Sequence, residues 1–307
     1  MNILFDEVII SSGSIKGCAI LGALNKFFNY YPLKRIKYFT GCSIGSVLCF
    51  LLNINYNIEE INEILFYLNF DKFQDLKLKN LFEKCGFDEG IKFTNLLKTL
   101  LIHKNFDENI TFQNLFNITN KTLTIITCNI TKGVVEYHNY LNTPNLSIVL
   151  SLRMSINIPI LFSPILYNEN YYVDGALLEP FPYHYMKNTN KIGFWLFDKY
   201  EFDFFKEMNV TFVSNINNSV SYIYDLLKII YTNYMKEKYK MIPKNVIYIN
   251  IDFPKKDIES FNMDINEKIK LFNIGKKKCR KIIKSIMNES LKRKYFKKWK
   301  KIKKGKF

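Results

Sequence analysis

Glu7-Val-Ile-Ile10 is a continuous β-branched run, the pattern of a strand buried on both faces. It ends in Ser11-Ser-Gly-Ser-Ile-Lys-Gly17, a loop of small residues. Apolar positions then take helical spacing at Cys18, Ile20, Leu21, Leu24, Phe27 and Phe28. A second short strand, Ile36 to Phe39, completes a strand–helix–strand unit. A right-handed crossover lays two such strands side by side and brings their carboxyl ends to one edge of a parallel sheet.

Downstream the helical period dominates. Asn57 and Glu60 make a capping-box start for Ile58 to Leu68. Phe93 to Leu101 is apolar at helical spacing, and Thr111 is placed to cap Phe112 to Ile118. Asn69 to Gly90 keeps no period and reads as irregular, a lid or a packing insertion. Lys121 to Cys128 and Gly133 to His138 are strands joined by a short turn. Ser147 to Ser155 is a short helix stopped by Pro159, and Tyr171 to Val173 a strand running straight into Asp174-Gly175. Ile192 to Phe197 is a strand, Val213 to Lys238 a long helix, and Val246 to Ile251 a last strand before a helix from about Asn266. No internal repeat or Pro/Ser-rich linker divides the chain.

At 307 residues, with 48% hydrophobic and 16% aromatic content, this is one large α/β domain or two small ones, and not a disordered chain. The six cysteines form no C-x-x-C pair, which points to free thiols in a reducing compartment and away from a metal or disulfide framework. Asp6 and Glu7 stand where a signal peptide would have its apolar core, and Val47 to Ile54 is too short to span a bilayer. The expected location is therefore cytoplasmic. Net charge, +16, is unevenly held: residues 276–307 carry 16 Lys or Arg against one acid, and residues 1–275 carry 28 against 27. Arguments from charge to a partner concern only the tail.

Candidate chemistry centres on Thr40-Gly41-Cys42-Ser43-Ile44-Gly45-Ser46, which follows the second strand and opens a strongly apolar run. Strand, tight turn carrying a serine, then helix is the context of a nucleophile elbow, with Gly41 and Gly45 leaving room for backbones to approach. The helix start adds unpaired N–H groups and a positive dipole end beside the Ser43 hydroxyl. A serine needs a base. Of His103, His138 and His184, only His184 lies late enough for the α/β-hydrolase order of serine, acid, histidine, and the elbow comes too early in the chain for that fold. Asp174, delivered to the sheet edge by a parallel strand and released by Gly175, is the better base if burial raises its pKa. Read alone, Val173-Asp-Gly-Ala176 is equally a turn. The loop after the first strand can supply oxyanion donors from amides near Gly13 and Ser14, and read alone is equally an ordinary turn.

Together these pieces resemble the patatin-like phospholipases. The family's Gly-rich loop with a Lys or Arg and closing Gly is similar to Ser12-Gly13-Ser14-Ile15-Lys16-Gly17; its G-x-S-x-G to Gly41-Cys42-Ser43-Ile44-Gly45; its D-G-[AG] to Asp174-Gly175-Ala176. The likeness continues through Leu152-Arg-Met-Ser-Ile-Asn-Ile-Pro159, Phe162-Ser-Pro164 and Tyr172 to Pro182. The resemblance implies a three-layer αβα sandwich around a mostly parallel sheet and a Ser43–Asp174 dyad. It also implies amides around Gly13 and Ser14 as the oxyanion hole, a membrane phospholipid as substrate, an acyl-enzyme intermediate, and no metal or other cofactor. Ser12 and Ser14 replace two of the family's glycines; backbone donors survive this where φ is not strongly positive.

The tail, read as a unit separate from residues 1–275, places Cys279, Ile282, Ile283, Ile286, Met287, Leu291, Tyr295, Trp299 and Ile302 at roughly helical spacing among lysines. A basic amphipathic helix of this kind suits an anionic membrane surface and peripheral attachment. Lysine runs also suit nucleic-acid phosphates, and a solvated terminal helix is the plain alternative. The rival to an enzyme is a patatin-fold protein that binds membrane or nucleic acid without catalysis.

Overall fold

The computed structural model describes residues 5–67, 75–185, 190–198, 219–238, 246–251 and 263–304. The chain begins with β1 (Glu7–Ile10), buried at all four positions, and a 3-10 turn, Ser14–Lys16, leading into α1 (Gly17–Phe28). β2 (Tyr38–Cys42) starts two residues later than the sequence pattern, because Ile36 closes a 3-10 turn over Leu33–Arg35. β2 passes through Ser43 into α2 (Ile44–Asn53), and α3 (Ile58–Tyr67) opens on the expected reciprocal Asn57–Glu60 capping bonds.

Residues 75–90 are ordered where the pattern gave an irregular segment. They form α4 (Leu78–Lys84), ended by Cys85 in a left-handed conformation, and β3 (Gly86–Asp88). Residues 69–74 of that stretch lie outside the described residues. Then come α5 (Ile91–His103), α6 (Phe112–Thr119) capped by Thr111, β4 (Thr122–Asn129), β5 (Val134–His138) and α7 (Ile148–Ser155) capped by Ser147. Three short strands without a pattern of their own, β6 (Ile160–Phe162), β7 (Ile165–Tyr167) and β3, exist through their partners; β3 pairs with β6 and β7 with β8 (Asn170–Asp174). β9 (Lys191–Asp198), α8 (Ser219–Lys238), β10 (Val246–Ile251) and α9 (Ile265–Lys304) complete the described chain. Residues 213–218, expected in the long helix, lie outside the described residues.

The main sheet runs β10-β9-β1-β2-β4-β8-β7, with β5 on β4. The five strands β10 to β4 are parallel, and β5, β7 and β8 join antiparallel. One face, bearing Val8, Ile10, Phe39, Leu123 and Ile125, packs on α1, α2 and α7 in the larger core. The other face carries Ile9, Trp195 and Val246 and is covered by Phe181, Tyr183 and Met235 of α8. This is the three-layer αβα architecture with a mostly parallel sheet. One expectation is corrected: β8 runs antiparallel to β4, so Asp174 reaches the edge from the opposite direction to the parallel strands.

α9 packs on α1 and buries Leu271, Phe272, Cys279 and Ile283 in the larger core. It runs unbroken through Lys276, where the charge changes. No described helix is long and apolar enough to cross a membrane.

Candidate active site

Two neighbouring strand ends build one side of the site. Ile10 pairs with Gly41, so the loop leaving β1 and the elbow leaving β2 emerge together. Ser43 lies at φ 54°, ψ −128°, a conformation that costs a non-glycine residue about 1–3 kcal/mol. Its carbonyl accepts the Ser46 hydroxyl at 2.6 Å and the Ser46 N–H at 2.8 Å; its own N–H donates to Ser155 Oγ at 3.0 Å. The flanking glycines are required by close approach. A Cβ on Gly41 would collide with the Gly45 carbonyl, and one on Gly45 would lie 2.5 Å from the carbonyl oxygens of both Ile10 and Ser11. Any side chain there would push the elbow off the β1 loop.

β8 supplies the other side. The Ser43 hydroxyl donates to Asp174 Oδ2 at 2.6 Å, and Ala176 N–H donates to Oδ1 at 2.8 Å. Asp174 is buried, and burial pushes its pKa up to about 7 against the opposing pull of those two bonds. Its Oδ2 is therefore a strong acceptor held against the serine. Gly175 opens the 3-10 turn (Gly175–Leu177) that carries Ala176 back toward the carboxylate.

Gly13, Ser14 and Lys16 line a cleft of about 390 Å³ with Ser43 and Asp174. Gly17 begins α1. Among the described residues, Ser12 N–H donates to the Pro180 carbonyl, and no acceptor is paired with the N–H groups of Gly13 and Ser14. Ser14 sits at φ 47°, the left-handed value under which a serine is strained where a glycine is not; Ser12 is not in that region. Of the two serines, Ser14 therefore fails the condition of a φ that is not positive, and it holds this conformation at a cost of about 1–2 kcal/mol.

The same serine opens on an apolar pocket that the sequence reading did not find. Ile44, Val47 and Leu51 line it from one face of α2, with Leu65 of α3, Phe93, Leu97 and Leu100 of α5, and Ile156, Ile158 and Phe162. Phe162 is held by buried Arg153, whose guanidinium stacks 4.9 Å from the ring and donates through Nη2 to the Glu89 carbonyl at 3.3 Å. The residues come from three helices, the turn after α7 and β6, all separated in sequence, so only the individual helical periods were visible. Ser155 was also missed; its one local sign was its place in the Arg153-Met-Ser155 motif.

The histidines lie elsewhere. His138 is buried against Thr127 Oγ1, 2.8 Å from Nε2, and burial lowers its pKa to about 4, so it is neutral. His103 lies 3.0 Å from the Tyr56 hydroxyl, and none of the three lines the cleft.

The mostly parallel αβα sheet thus brings together a serine at a strand-to-helix turn, a buried aspartate bonded to it and a small-residue loop, with none of the three histidines at the cleft. The chain matches the patatin-like phospholipases over residues 8–187 and belongs to that family. It is 33% identical over 198 residues to the probable lipid hydrolase 463L of Invertebrate iridescent virus 6, covering 61% of this chain and 67% of that one. It is 29% identical over 302 residues to the uncharacterized protein R571 of Acanthamoeba polyphaga mimivirus, covering 92% and 95%. VipD from Legionella pneumophila shares the fold at TM-score 0.62 and 13% identity, over 92% of this chain and 67% of that one. A structure of full-length SpcU in complex with full-length ExoU from Pseudomonas aeruginosa matches at TM-score 0.50 and 13% identity, over 92% of this chain and 52% of the matched one.

Proposed function

We propose that the protein is a lipid acyl hydrolase of phospholipase A type that works through a Ser43–Asp174 dyad. The observation that carries this reading is the 2.6 Å bond from the Ser43 hydroxyl to Asp174 Oδ2 at the junction of a polar cleft and an apolar pocket. Family membership and the virus relative named as a lipid hydrolase support the substrate class.

In the mechanism, Ser43 Oγ attacks the ester carbonyl of a glycerophospholipid and its proton passes to Asp174. The amides of Gly13 and Ser14 take the oxyanion. Collapse expels the lysolipid alkoxide, which takes the proton back from Asp174 and leaves the acyl group on Ser43. Water then loses a proton to Asp174 as it attacks the acyl-enzyme, and the fatty acid departs with Ser43 restored. The apolar pocket holds the acyl chain and the cleft holds the polar remainder.

The basic end of the chain brings the enzyme to its substrate by attraction to an anionic membrane surface, so attachment is peripheral. Nucleic-acid binding through the same lysines is the competing outcome.

A fluorophosphonate probe tests the reading. It should label Ser43 in the wild type, the Ser43→Ala protein should not be labelled, and the Asp174→Asn protein should be labelled at least about a thousandfold more slowly. Unlabelled wild-type protein in the presence of lipid vesicles would sink it.

A further inference from the structure

We infer that the turn leaving α7, Ser155 to Asn157, is a clamp that positions both members of the dyad. The inference rests on the dyad reading above and adds two residues to it. Ser155 accepts the Ser43 N–H at 3.0 Å, a buried bond between elements 112 residues apart. Two residues on, the Asn157 carbonyl accepts the Asp174 N–H at 2.9 Å. One three-residue turn therefore grips the backbone of the nucleophile and the backbone of the base.

The turn is itself fixed. Ile156 N–H donates to the Leu152 carbonyl at 3.0 Å and Asn157 N–H to the Met154 carbonyl at 3.3 Å, which tie it to α7. The Asn157 amide donates to the Ser163 carbonyl at 3.0 Å, just past β6, and to the Tyr172 carbonyl at 3.3 Å, which ties it to β8 two residues before Asp174. Ser155 and Asn157 are both 0% exposed, so no solvent replaces a lost bond. Ser43 has a specific need of such a grip. Its φ of 54° is a state that relaxes unless neighbours over-determine it, and the Ser155 hydroxyl is the side-chain acceptor its N–H uses. Residues along this turn alternate in role: the Ser155 hydroxyl and the Asn157 main-chain carbonyl hold the dyad, while Ile156 and Ile158 line the apolar pocket. An acyl chain in the pocket thus presses on the same turn that aligns the reacting groups.

Both residues are positioning residues, since neither touches substrate. The test compares Ser155→Ala, Ser155→Cys and Ser155→Thr in the full chain, by fluorophosphonate labelling rate across pH and by thermal unfolding. Cysteine keeps the volume and loses the acceptor; threonine keeps the acceptor and overfills the site. The expected result is labelling about tenfold slower in Ser155→Ala and Ser155→Cys, with most of the rate restored in Ser155→Thr. The pH midpoint should also rise in the two slow variants, because a lengthened Ser43–Asp174 bond no longer lowers the carboxyl pKa. If Ser155→Ala fails to fold, Ser155→Cys supplies the measurement. The reverse order, with Ser155→Cys like wild type, Ser155→Thr slowest and an unmoved midpoint, would mean that Ser155 only packs, and overturns the clamp. That result leaves the dyad reading standing; unlabelled wild type removes both.

Discussion

Ser43 and Asp174, 131 residues apart, meet because β2 and β8 abut end to end along one edge of β4. Cys42 pairs with Ile126, and Asp174 with the next residue, Thr127. β5 occupies the opposite edge over Ile125 to Asn129, so β2 and β8 must share the same one. The parallel strand delivers the serine from one direction and the antiparallel strand delivers the carboxylate from the other. A shift of either β2 or β8 by a single residue along β4, with the other strand fixed, would separate the pair.

The pH dependence of hydrolysis follows from the burial of Asp174. As a general base it works ionised, and burial holds its pKa at about 7. The kcat/KM for a short soluble ester is expected to rise through one ionisation with its midpoint near 7 and to level off above it. At two units below the midpoint the rate should be about a hundredfold lower. A midpoint near 4 in a rate profile from pH 4 to 9 would exclude a buried Asp174 as the base.

The same shift sets a stability trade. An unfolded aspartate loses its proton near 3.8, whereas folded Asp174 keeps it to about 7. Its contribution is therefore most favourable below the lower value and is lost as pH rises through the upper one. Asp174→Asn removes the buried charge but cannot accept from both Ser43 and Ala176. A net stabilisation on the order of 2 kcal/mol at pH 8, with little or none at pH 4, is expected alongside the loss of hydrolysis. Unfolding curves at the two pH values decide it; equal effects at both would contradict the buried-charge account.

Chain-length preference should follow the pocket. Ile44, Val47 and Leu51 line it along one face of α2, and eight residues of helix from Ser43 to Leu51 give a depth of about 12 Å. An extended chain advances ~1.25 Å per carbon, so roughly nine or ten carbons fill that depth. Leu100→Phe, which adds bulk to the pocket wall, should lower kcat/KM for a ten-carbon ester about tenfold while leaving a four-carbon ester near wild type. An unchanged profile across a series of p-nitrophenyl esters would show that acyl chains lie elsewhere.

Membrane attachment is best tested by cutting after Lys284. Cys279 and Ile283 belong to the core, so a cut at 276 would damage the fold as well as remove charge. Loss of 285–307 takes away ten Lys or Arg and one Glu. Sedimentation with vesicles rich in anionic lipid should fall severalfold and become insensitive to salt, with short-ester hydrolysis retained. Undiminished sedimentation would refute the tail's role, and selective loss of RNA binding would favour the competing partner.

Much of the site was legible because its signals are local. The β-branched run of β1, the small-residue loop and the glycines around Ser43 each state their geometry within a few residues. Asp174 was selected by the order of motifs. What escaped was non-local. β3 and β6 are three residues long and exist as a pair. The direction of β8 depends on β4, and the role of Ser155 depends on a residue 112 positions away. The pocket needed the relative placement of α2, α3 and α5, which no single periodicity contains. The strain at Ser14 is a backbone fact that its side chain conceals.

The end-to-end meeting of β2 and β8 also sets when the Ser43–Asp174 pair can form during synthesis. A growing chain carries its serine long before its aspartate, and the two cannot touch until β8 has folded back along β4. The Ser43–Asp174 contact is thus a product of the completed sheet, and any chemistry that needs both residues waits on it.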